Sequence, residues 1–395
     1  MISLNLKKIN ASLVQGKKVL LRCDLNVPFD NDKILDANRI IELLPTIKLL
    51  KQNNSKIIVT SHFGRPNGEF NINYSLRKLI PYLEQYWDVK IKFIENILSD
   101  SVAREISESK PDEIILLENL RFFKEEEENS EIFAKKLSQI ADIYINDAFA
   151  CSHRKHASIS AITEFIDSYP GLLIEKEVKN LSQFFKNTDS NKLLIIGGKK
   201  ISSKFKIIKS IANKFDHIVI AGAMANNFMK CLGYEIGKSF YEKDLLDECN
   251  RFYIENKSKI ILPKDVVGHD KQNNVFIKNI DQVLDTDIIY DIGVKSCQSI
   301  QSILEDSKSV LWNGPIGLYE KIEYSVSSMY IARVIAYLTQ TNKLNSLIGG
   351  GDAAAVVKAS GLEKSFSYIS TGGGAFLELL KDNDLIGFKN LKYEK

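Results

Sequence analysis

The feature that most constrains the fold is a regular alternation of short apolar runs with longer amphipathic segments along the 395 residues. The runs are KKVLLRCDL (17–25), SKIIVTSHF (55–63), EIILLEN (113–119) and ADIYINDAF (141–149), then NKLLIIGG, HIVIAG, KIILPKDVV, DIIYDIG, SVLWNG and NSLIGGG. Such runs, separated by helices, are typical of parallel strands buried on both faces. The pattern predicts an α/β fold with two doubly wound, Rossmann-like parallel-sheet domains.

The predicted boundary lies at 168–190, where SYPG breaks the chain, LLIEKEVKNLSQFF reads as a helix and KNTDSNK reads as a polar loop. The predicted parts are an N-terminal domain (1–168), an interdomain helix (169–188), a C-terminal domain (189–378) and a tail (379–395) that returns to the N-terminal domain. A cleft is expected between the two domains. ANRIIELLPTIKLLKQN is predicted to be one amphipathic helix with a possible kink at Pro45.

The composition excludes several classes of function. The 53 basic and 50 acidic residues leave a net charge of +3, which argues against a general nucleic-acid or membrane-surface binder. No apolar run approaches the roughly 18 residues of a membrane span, and MISLNLKKINASL lacks the core of a signal peptide. The five scattered cysteines fit neither a disulfide framework nor a zinc site, so buried thiols and a cytoplasmic location are expected.

Polar and basic residues follow the predicted strands of the first half. They are Arg22, Asp24, Asn26, His62, Arg65, Arg121, Asn146, Asp147, His153, Arg154 and His156, and Arg39 begins the first helix. Parallel strands bring their carboxyl ends to one edge of a sheet, so these side chains should meet at one rim. So many positive charges converge only around anions, and seven of the chain's nine arginines lie at or before Arg154. A small ligand with phosphate and carboxylate groups would fit.

Glycine loops replace the arginines in the second half. IIGGKKISSK (195–204), SLIGGGDAAAV (346–356) and YISTGGGAFLELL (368–380) carry glycines between a strand and a helix. Glycine permits close approach of the backbone, and a helix N-terminus presents N–H groups to phosphate, so the loops indicate a nucleotide. Lys200 and Lys204 would supply charges for its phosphates.

Asp352, in the second of these patterns, SLIGGGDAAAV, has two interpretations. It can cap the following helix, or it can hold Mg²⁺ against the nucleotide phosphates, or do both. Named nucleotide motifs do not fit: no Walker A sequence is present, and the G-x-G-x-x-A at 349–354 lacks an acidic ribose partner. A dinucleotide dehydrogenase is therefore disfavoured. The EEEE run at 125–128 is interpreted as a solvated helix start.

Nine stretches, in order, resemble the signature sequences of the phosphoglycerate kinase family. They are RCDLNVP, SHFGRPNG, LLENLRF, NDAF with HRKHAS, EKEV, IGGKK, LWNGPIGLYE, LIGGGD and STGGGAFLELL. The resemblance spans essentially the whole chain. It implies transfer of a phosphoryl group between 1,3-bisphosphoglycerate and ADP, with Mg²⁺ as cofactor, ATP/ADP as co-substrate, and a monomer acting on small molecules in glycolysis.

The resemblance also implies roles for individual residues. The substrate site would contain Asp24, Asn26, Arg39, His62, Arg65, Arg121 and Arg154. The catalytic residues would be Arg39, Lys200, Gly351 and Gly374. The nucleotide site would contain Lys200, Lys204, Gly293, Asn313, Glu320, Gly350, Gly351, Asp352 and Ala353, with Gly373 in the second glycine turn and Asp352 on the metal.

Because the acceptor carboxylate of 3-phosphoglycerate is already ionised at neutral pH, the reaction needs positioning and charge stabilisation and no general base. The two implied sites are on different domains, so hinge closure is expected, and an unchanged radius of gyration with both substrates bound would contradict it. Departures from the family pattern are Lys199, Ser203, Ala221, Ala223, Ala353, Tyr368 and Phe376. All are on the nucleotide side, which leaves a same-fold anion- or nucleotide-binding protein with weak or no turnover as the alternative.

Overall fold

The structure is a computed structural model that describes residues 4–30, 33–110, 112–186, 191–199 and 201–393. The chain divides into two compact units. The N-terminal unit runs to Asn180 and includes the segment from Asp382 onward, and the C-terminal unit comprises Leu181–Lys381. No helix among the described residues is long and apolar enough to cross a membrane.

The N-terminal unit is built on a parallel sheet of six strands. Its strands are β1 (Lys18–Arg22), β4 (Lys56–Thr60), β5 (Lys90–Ile94), β6 (Glu113–Leu117), β7 (Ile143–Asn146) and β8 (Ser168–Pro170), and β2 (Phe29–Asp30) pairs with β3 (Lys33–Ile34) in a separate hairpin. The strand order in the sheet is β5-β6-β4-β1-β7-β8. Its helices are α1 (Ala11–Val14), α2 (Asn38–Ile41), α3 (Leu44–Gln52), α4 (Ile80–Trp87), α5 (Val102–Ser107), α6 (Lys124–Glu127) and α7 (Glu131–Ser138), and α8 (Leu172–Lys186) begins in this unit.

The two faces of this sheet are both buried, as the apolar runs predict. On β1, Val19 and Leu21 belong to one hydrophobic cluster, whereas Leu20 belongs to another. Side chains alternate across a strand, so each cluster covers one face of the sheet. A doubly covered parallel sheet leaves its carboxyl edge as the open place for a ligand.

The C-terminal unit contains a second parallel sheet of six strands. Its strands are β9 (Lys192–Ile196), β10 (His217–Ile220), β11 (Ile260–Ile261), β15 (Ser309–Asn313), β16 (Asn345–Gly349) and β17 (Tyr368–Ile369), in the order β11-β10-β9-β15-β16-β17. Its helices are α9 (Ile201–Ile211), α10 (Gly222–Cys231), α11 (Leu246–Asn256), α12 (Val294–Asp306), α13 (Val326–Gln340), α14 (Gly351–Ser360) and α15 (Gly373–Asp382). The fold class predicted from the sequence, α/β with two parallel sheets, is confirmed.

The prediction of a parallel strand was wrong for part of KIILPKDVV and for DIIYDIG. Within KIILPKDVV, only β11 joins the parallel sheet; β12 (Asp265–His269), β13 (Val275–Asn279) and β14 (Ile288–Ile292) form a small antiparallel sheet. The chain has three residues between β11 and β12, which is too short for a parallel crossover. Turn contacts of Asp270 then reverse the chain into β13.

Two local predictions were also wrong. The segment at 37–53 forms two helices, α2 and α3, and Pro45 lies in the first turn of α3, where its missing N–H costs nothing. SYPG is not a break, because Ser168–Pro170 forms β8 at the edge of the first sheet, where proline is tolerated. Strand β5 has no counterpart among the predicted runs.

Candidate functional site

The first sheet has its topological switch point between β1 and β7. The chain leaves β1 toward β4 on one side, whereas β7 lies on the other side, so the loops after β1 and β7 diverge. Ligands of open α/β sheets bind in the crevice that such loops create. Asp24 and Asn26 follow β1, His62 follows β4, Arg121 follows β6 and Arg154 follows β7.

Asp24, Asn26 and Arg39 form one connected group. Arg39 Nη1 lies 2.9 Å from Asp24 Oδ2 and donates to the Asn26 carbonyl at 2.8 Å. The Asn26 side chain accepts from the Gly64 N–H at 2.9 Å, which ties the loop after β1 to the loop after β4. Asp24 is buried, whereas Arg39 is half-buried, so the guanidinium is held in place while part of it can still reach a ligand.

Arg121 and Arg154 add charge to the same region, and Arg65 lies at its exposed border. Arg121 donates from Nη1 to the Gly64 carbonyl at 2.7 Å, and its Nε lies 3.1 Å from Glu127 Oε1. Arg121 is buried, and burial lowers its pKa. Arg154 is half-buried and Arg65 is exposed, so their planar donor groups are accessible to anions.

His62 lies at the centre of this basic cluster and is neutral. It is 2% exposed, and its Nδ1 lies 3.2 Å from Arg22 Nη2. Burial, followed by the charges of Arg22, Arg121, Arg154 and Arg39, holds the pKa of His62 well below its usual value. A neutral imidazole avoids adding another positive charge among the arginines.

His153 and His156 are half-buried in the loop after β7 and are neutral as well. Burial and the neighbouring arginines lower the pKa of His156 to about 3, and burial lowers that of His153. Neither imidazole therefore contributes charge at neutral pH. The positive charge of this rim therefore comes from its arginines and not from its histidines.

Asp24, His62 and Cys151 are the one group of three possible metal ligands found among the described residues, with ligand atoms within 4.8 Å of one another. Asp24 is already paired with Arg39, and four arginines surround His62. A divalent cation would meet strong repulsion there. The cluster therefore fits an anion, and we assign it no metal.

The EEEE run contains a residue that the sequence-based interpretation missed. Glu126 is fully buried rather than solvated, and its carboxylate accepts from Ser158 Oγ at 2.6 Å and from the Ser158 N–H at 2.9 Å. Glu125 and Glu128 are exposed, as predicted. The sequence could not show which of the four glutamates is buried, because α6 is only four residues long and has no apolar periodicity that would indicate its buried face.

A second candidate site lies in the C-terminal unit, at the switch point between β9 and β15. An apolar cavity of about 520 Å³ opens there. Its walls include Met229, Phe240, Pro263, Ile288, Tyr290 and Leu318, and its border includes Gly198, Lys199, Glu320 and Asp352. Apolar walls with a few polar groups at one end suit a nucleobase attached to a charged tail. Ala223, a departure from the family pattern, also lines the cavity.

A second cavity adjoins the apolar one and shares Lys199, Phe240 and Asp352 with it. We call it the polar cavity because its other lining residues, Ser202, Ser203, Lys204 and Glu242, are all polar or charged. Lys204 lines the polar cavity and donates from Nζ to the Gly197 carbonyl at 2.6 Å. Gly314 passes so close that a Cβ on it would lie 2.2 Å from the Lys204 ammonium. Lys200, the predicted catalytic lysine, lies outside the described residues. The polar cavity is where phosphates of a base-bound nucleotide would lie.

Helix α14 points an uncapped N-terminus toward this place. Gly350 is its N-cap with φ +94°, and no side chain caps the helix. The prediction that Asp352 caps α14 is therefore wrong: Asp352 is exposed in the first turn and lines both cavities. Ala353 is fully buried in the core, so only its backbone is available to a nucleotide.

Other predicted nucleotide residues occupy different surroundings. Asn313 is buried behind the glycine loop, donating from Nδ2 to the Gly349 carbonyl at 2.6 Å, and its Oδ1 has no partner. Gly293 lines neither of these two cavities. The Asp265 carboxylate occupies the N-terminus of α12 beside it, and a Cβ on Gly293 would lie 2.2 Å from Asp265 Oδ2. Gly373 and Gly374 begin α15, with Gly374 exposed.

Further residues of the nucleotide side were missed. Glu242 accepts from the Ile201 N–H at 3.2 Å and so covers the N-terminus of α9. Asp291 is buried in the cavity wall, contacts Ser327, and has its pKa raised by burial to about 6. Asp291 lies in β14 and Glu242 lies in the segment between α10 and α11, away from the glycine loops and the basic residues from which the sites were predicted.

The comparisons with known proteins agree on one family. The model of the phosphoglycerate kinase family matches residues 9–383. A phosphoglycerate kinase of Wolbachia pipientis subsp. Culex pipiens (strain wPip) is 43% identical over 394 residues, covering 98% of this chain and 99% of the relative. One of Dictyoglomus turgidum is 41% identical over 380 residues, covering 95% of each chain.

Solved structures give the same result. The phosphoglycerate kinase structure from Coxiella burnetii aligns with a TM-score of 0.83 at 32% identity, covering 96% of each chain. The structure from Pyrococcus horikoshii OT3 aligns with a TM-score of 0.83 at 27% identity over the same fractions.

Proposed function

Because the chain belongs to the phosphoglycerate kinase family, we propose that its two candidate sites together transfer a phosphoryl group reversibly between 1,3-bisphosphoglycerate and ADP, giving 3-phosphoglycerate and ATP. The observation that carries the proposal is that the chain has two candidate sites of different chemistry, one after each parallel sheet. An arginine-rich rim follows one parallel sheet, and an apolar cavity with a lysine- and glycine-lined end follows the other.

The N-terminal unit is proposed to bind 3-phosphoglycerate. Arg65, Arg121 and Arg154 would bind its phosphate and carboxylate, because guanidinium groups pair with both anions in a bidentate way. Asp24 and Asn26 would orient the hydroxyl group and hold Arg39. Arg39, anchored but half-buried, would stabilise the charge of the transferring group.

The C-terminal unit is proposed to bind the nucleotide. The base would enter the apolar cavity, Glu320 at its border would accept from the ribose, and Lys204 would pair with the phosphates. Gly350 and Gly351 would present backbone N–H groups at the N-terminus of α14. A Cβ on Gly351 would meet nothing within 4 Å, so the structure leaves room for a phosphate at that position.

The residues present fit Mg²⁺. The Asp352 carboxylate faces the polar cavity from an uncapped helix turn, next to the lysines that would hold phosphates. One carboxylate plus phosphate oxygens is a usual set of ligands for Mg²⁺. When bound, the ion would neutralise charge on the transferring phosphates. Asp352 would orient the phosphates through it, and Lys204 would do so directly.

The chemistry requires positioning and charge stabilisation from these residues. The acceptor is a carboxylate that is ionised at neutral pH, so no side chain need remove a proton. His62, His153 and His156 are neutral and buried or half-buried, which agrees with binding rather than acid–base roles. Lys200 is proposed, from the resemblance, to contact the transferring group.

Steady-state turnover with 3-phosphoglycerate and Mg-ATP, coupled to reduction of the acyl phosphate, tests the proposal. We expect saturable turnover that is lost without magnesium. The Arg39→Ala variant serves as the control for a contaminating kinase, because contaminant activity would be the same in both preparations. Absence of turnover in a folded preparation that still binds 3-phosphoglycerate would contradict the proposal.

We also propose a glycolytic, cytoplasmic enzyme that acts as a monomer. The proposal rests on the family resemblance. Light scattering that gives a mass near 44.7 kDa would support the monomer, and twice that mass at micromolar concentration would contradict it.

A further inference from the structure

A chain of buried polar groups runs behind the arginine-rich rim. It consists of Glu126 in α6, Ser158 in the loop after β7, Arg22 at the end of β1, and His62 after β4. Glu126 and Ser158 have no exposed surface, Arg22 is 1% exposed and His62 is 2% exposed. Four polar side chains from four segments, all buried in one line, need an explanation beyond anchoring a loop.

The direction of each hydrogen bond follows from the chemistry of the groups. Arg22 Nε donates to Ser158 Oγ at 2.8 Å, and Ser158 Oγ donates to Glu126 Oε1 at 2.6 Å. Arg22 Nη2 also lies 4.0 Å from Glu126 Oε1, so the buried guanidinium and carboxylate balance each other's charge. Arg22 Nη1 donates to the Cys23 carbonyl, which leaves Nη2 directed at His62.

The contact with Arg22 decides the tautomer of His62. A guanidinium has donors and no acceptor, so His62 Nδ1, 3.2 Å from Nη2, must be the acceptor. The proton of the neutral ring is then on Nε2. Within the described residues Nε2 has no hydrogen-bond partner, and it is not among the polar atoms sealed from solvent without one.

Charged and titratable groups face His62 from several elements. They are Arg22 and Asp24 from the end of β1, Arg39 from α2, Arg121 after β6, and Cys151 and Arg154 after β7. Arginines outnumber the single acidic residue, Asp24, which is itself paired with Arg39. Protonation of His62 is therefore opposed on every side, and burial opposes it further.

We propose that Glu126, Ser158 and Arg22 are positioning residues that hold His62 as a neutral Nε2–H donor to the anionic substrate. The inference rests on the proposed binding of 3-phosphoglycerate at this rim. In this proposal the fully buried Glu126 carboxylate holds Arg22 in place through Ser158, and Arg22 in turn holds the His62 imidazole. It predicts substrate binding that does not titrate with His62 between about pH 5.5 and 8.

The first test reads the tautomer without substrate. In the ¹⁵N-labelled protein, two-bond proton–nitrogen spectra separate the five histidines, and loss of one pattern in His62→Gln assigns His62. We expect a protonated Nε2 and an unprotonated Nδ1 from pH 5.5 to 8. A protonated Nδ1, or titration of the ring inside this range, would overturn the proposal.

The second test changes the positioning residues. In Arg22→Met, His62 Nδ1 loses the guanidinium donor and keeps only the weaker contact with Cys151 Sγ at 3.8 Å, so we expect mixed tautomers and a titration that moves into the measured range. Because Arg22 is fully buried and the variant can fail to fold, Glu126→Gln is the second variant, with Glu125→Gln, an exposed neighbour, as matched control. If Glu126→Gln shows the spectra and the KM of the wild type, the positioning role of Glu126 is overturned.

Kinetics separate positioning from folding. In Glu126→Gln we expect KM for 3-phosphoglycerate to rise about five- to tenfold, the scale of one hydrogen bond, while KM for Mg-ATP stays unchanged. His62→Gln, which keeps a donor at the Nε2 position, should bind substrate better than His62→Asn, which does not; equal KM values would overturn the donor role. If the wild-type chain shows no turnover, the proposed function fails, while the tautomer result is still read independently.

Discussion

At the scale of single residues, anchoring and exposure distinguish the arginines. Arg22 is sealed inside the protein by Ser158 and His62, so it cannot touch a substrate directly. Arg39 is held by Asp24 and by the Asn26 carbonyl, yet it is half-buried and can reach a ligand. The sequence does not distinguish these two arginines, but their burial shows that only Arg39 is accessible to a ligand.

Arg39→Ala should lower kcat far more than it weakens nucleotide binding. One lost contact to the charge of the transition state is worth about 2.7–4 kcal/mol, by analogy with an oxyanion-hole donor, which is about 10²- to 10³-fold in kcat. Steady-state kinetics and ADP titration measure the two effects. Arg104→Ala, an exposed arginine in α5 paired with Glu108, is the matched control. An unchanged kcat would contradict the assignment of Arg39.

Lys204→Met should weaken nucleotide binding, because Lys204 lines the polar cavity and methionine keeps an apolar stem of similar length but lacks the ammonium charge. A lost charge-assisted hydrogen bond is worth about 1.5–3 kcal/mol, so ADP affinity should fall roughly 10- to 100-fold. Calorimetric titration gives the affinity. Lys206→Met, two residues farther along α9, controls for the loss of one positive charge on that helix. Equal ADP affinity in Lys204→Met and the wild type would rule the contact out.

At the scale of elements, helix N-termini in the C-terminal unit differ in what covers them. The α12 N-terminus is covered by Asp265 and that of α9 by Glu242, whereas α14 has no side-chain cap. An uncapped N-terminus keeps N–H groups and positive dipole for an anion. This difference separates a binding loop from loops that look equally suitable in sequence.

Gly351→Ala should separate binding from folding at α14. No atom lies within 4 Å of the added Cβ, and alanine favours a helix over glycine by about 1 kcal/mol, so the fold should be unharmed. The methyl group would occupy the space proposed for a phosphate, so ADP affinity should fall at least tenfold. Gly361→Ala, at the other end of α14 with φ +69°, should show the reverse: lower stability and unchanged ADP affinity. Undiminished ADP binding by Gly351→Ala would refute the phosphate position.

Asp147 connects the first sheet to α8. Its carboxylate accepts from Thr46 Oγ1 at 2.6 Å and from the N–H of Leu173 at 2.9 Å, inside the first turn of α8. Burial raises the pKa of Asp147 to about 7. The folded state then holds a proton that the unfolded state has released, so this residue makes stability fall as pH rises from about 4 to 7.

Asp147→Asn should remove that pH dependence, because the amide cannot ionise. With the free energy of unfolding measured in urea at pH 4.5, 5.5 and 6.5, the wild type should lose up to about 1.4 kcal/mol per pH unit relative to Asp147→Asn. Asp142→Asn, an exposed residue that accepts from the Lys18 N–H, is the control. Parallel curves for Asp147→Asn and the wild type would show that Asp147 is ionised throughout.

At the scale of the whole molecule, the first and the last segments that the structure describes belong to the same unit. The Lys7 N–H donates to the Leu391 carbonyl at 2.8 Å, and the Tyr393 N–H donates to the Asn5 carbonyl at 3.0 Å. Phe388 in the tail is fully buried, and its ring stacks against that of Phe149 with centroids 6.4 Å apart. The tail from Asp382 to Tyr393 is therefore part of the N-terminal unit, although it follows the C-terminal unit in sequence.

Phe388→Ala should destabilise the N-terminal unit by about 3–5 kcal/mol, the usual cost of truncating a buried aromatic ring. The two tryptophans report the units separately, because Trp87 is buried in the N-terminal unit and Trp312 in the C-terminal unit. In a Trp312→Phe background, the urea transition seen by Trp87 should move to lower urea. Ile386→Ala, 39% exposed, is the control. An unmoved Trp87 transition would mean that the tail contributes no stability.

The sequence by itself determined the fold class, and it placed arginines after the strands of one sheet and glycine loops after those of the other, because apolar periodicity, arginine placement and glycine loops are local signals. It could not distinguish β12 and β14 from the parallel strands, since a strand is parallel or antiparallel only with respect to the strands with which it pairs, and that pairing is tertiary. Nor could it reveal that Glu126 is buried, that Gly293 accommodates Asp265, or that Asp352 leaves α14 uncapped. These depend on side chains distant in sequence, whose burial and hydrogen-bond partners exist only after the chain has packed.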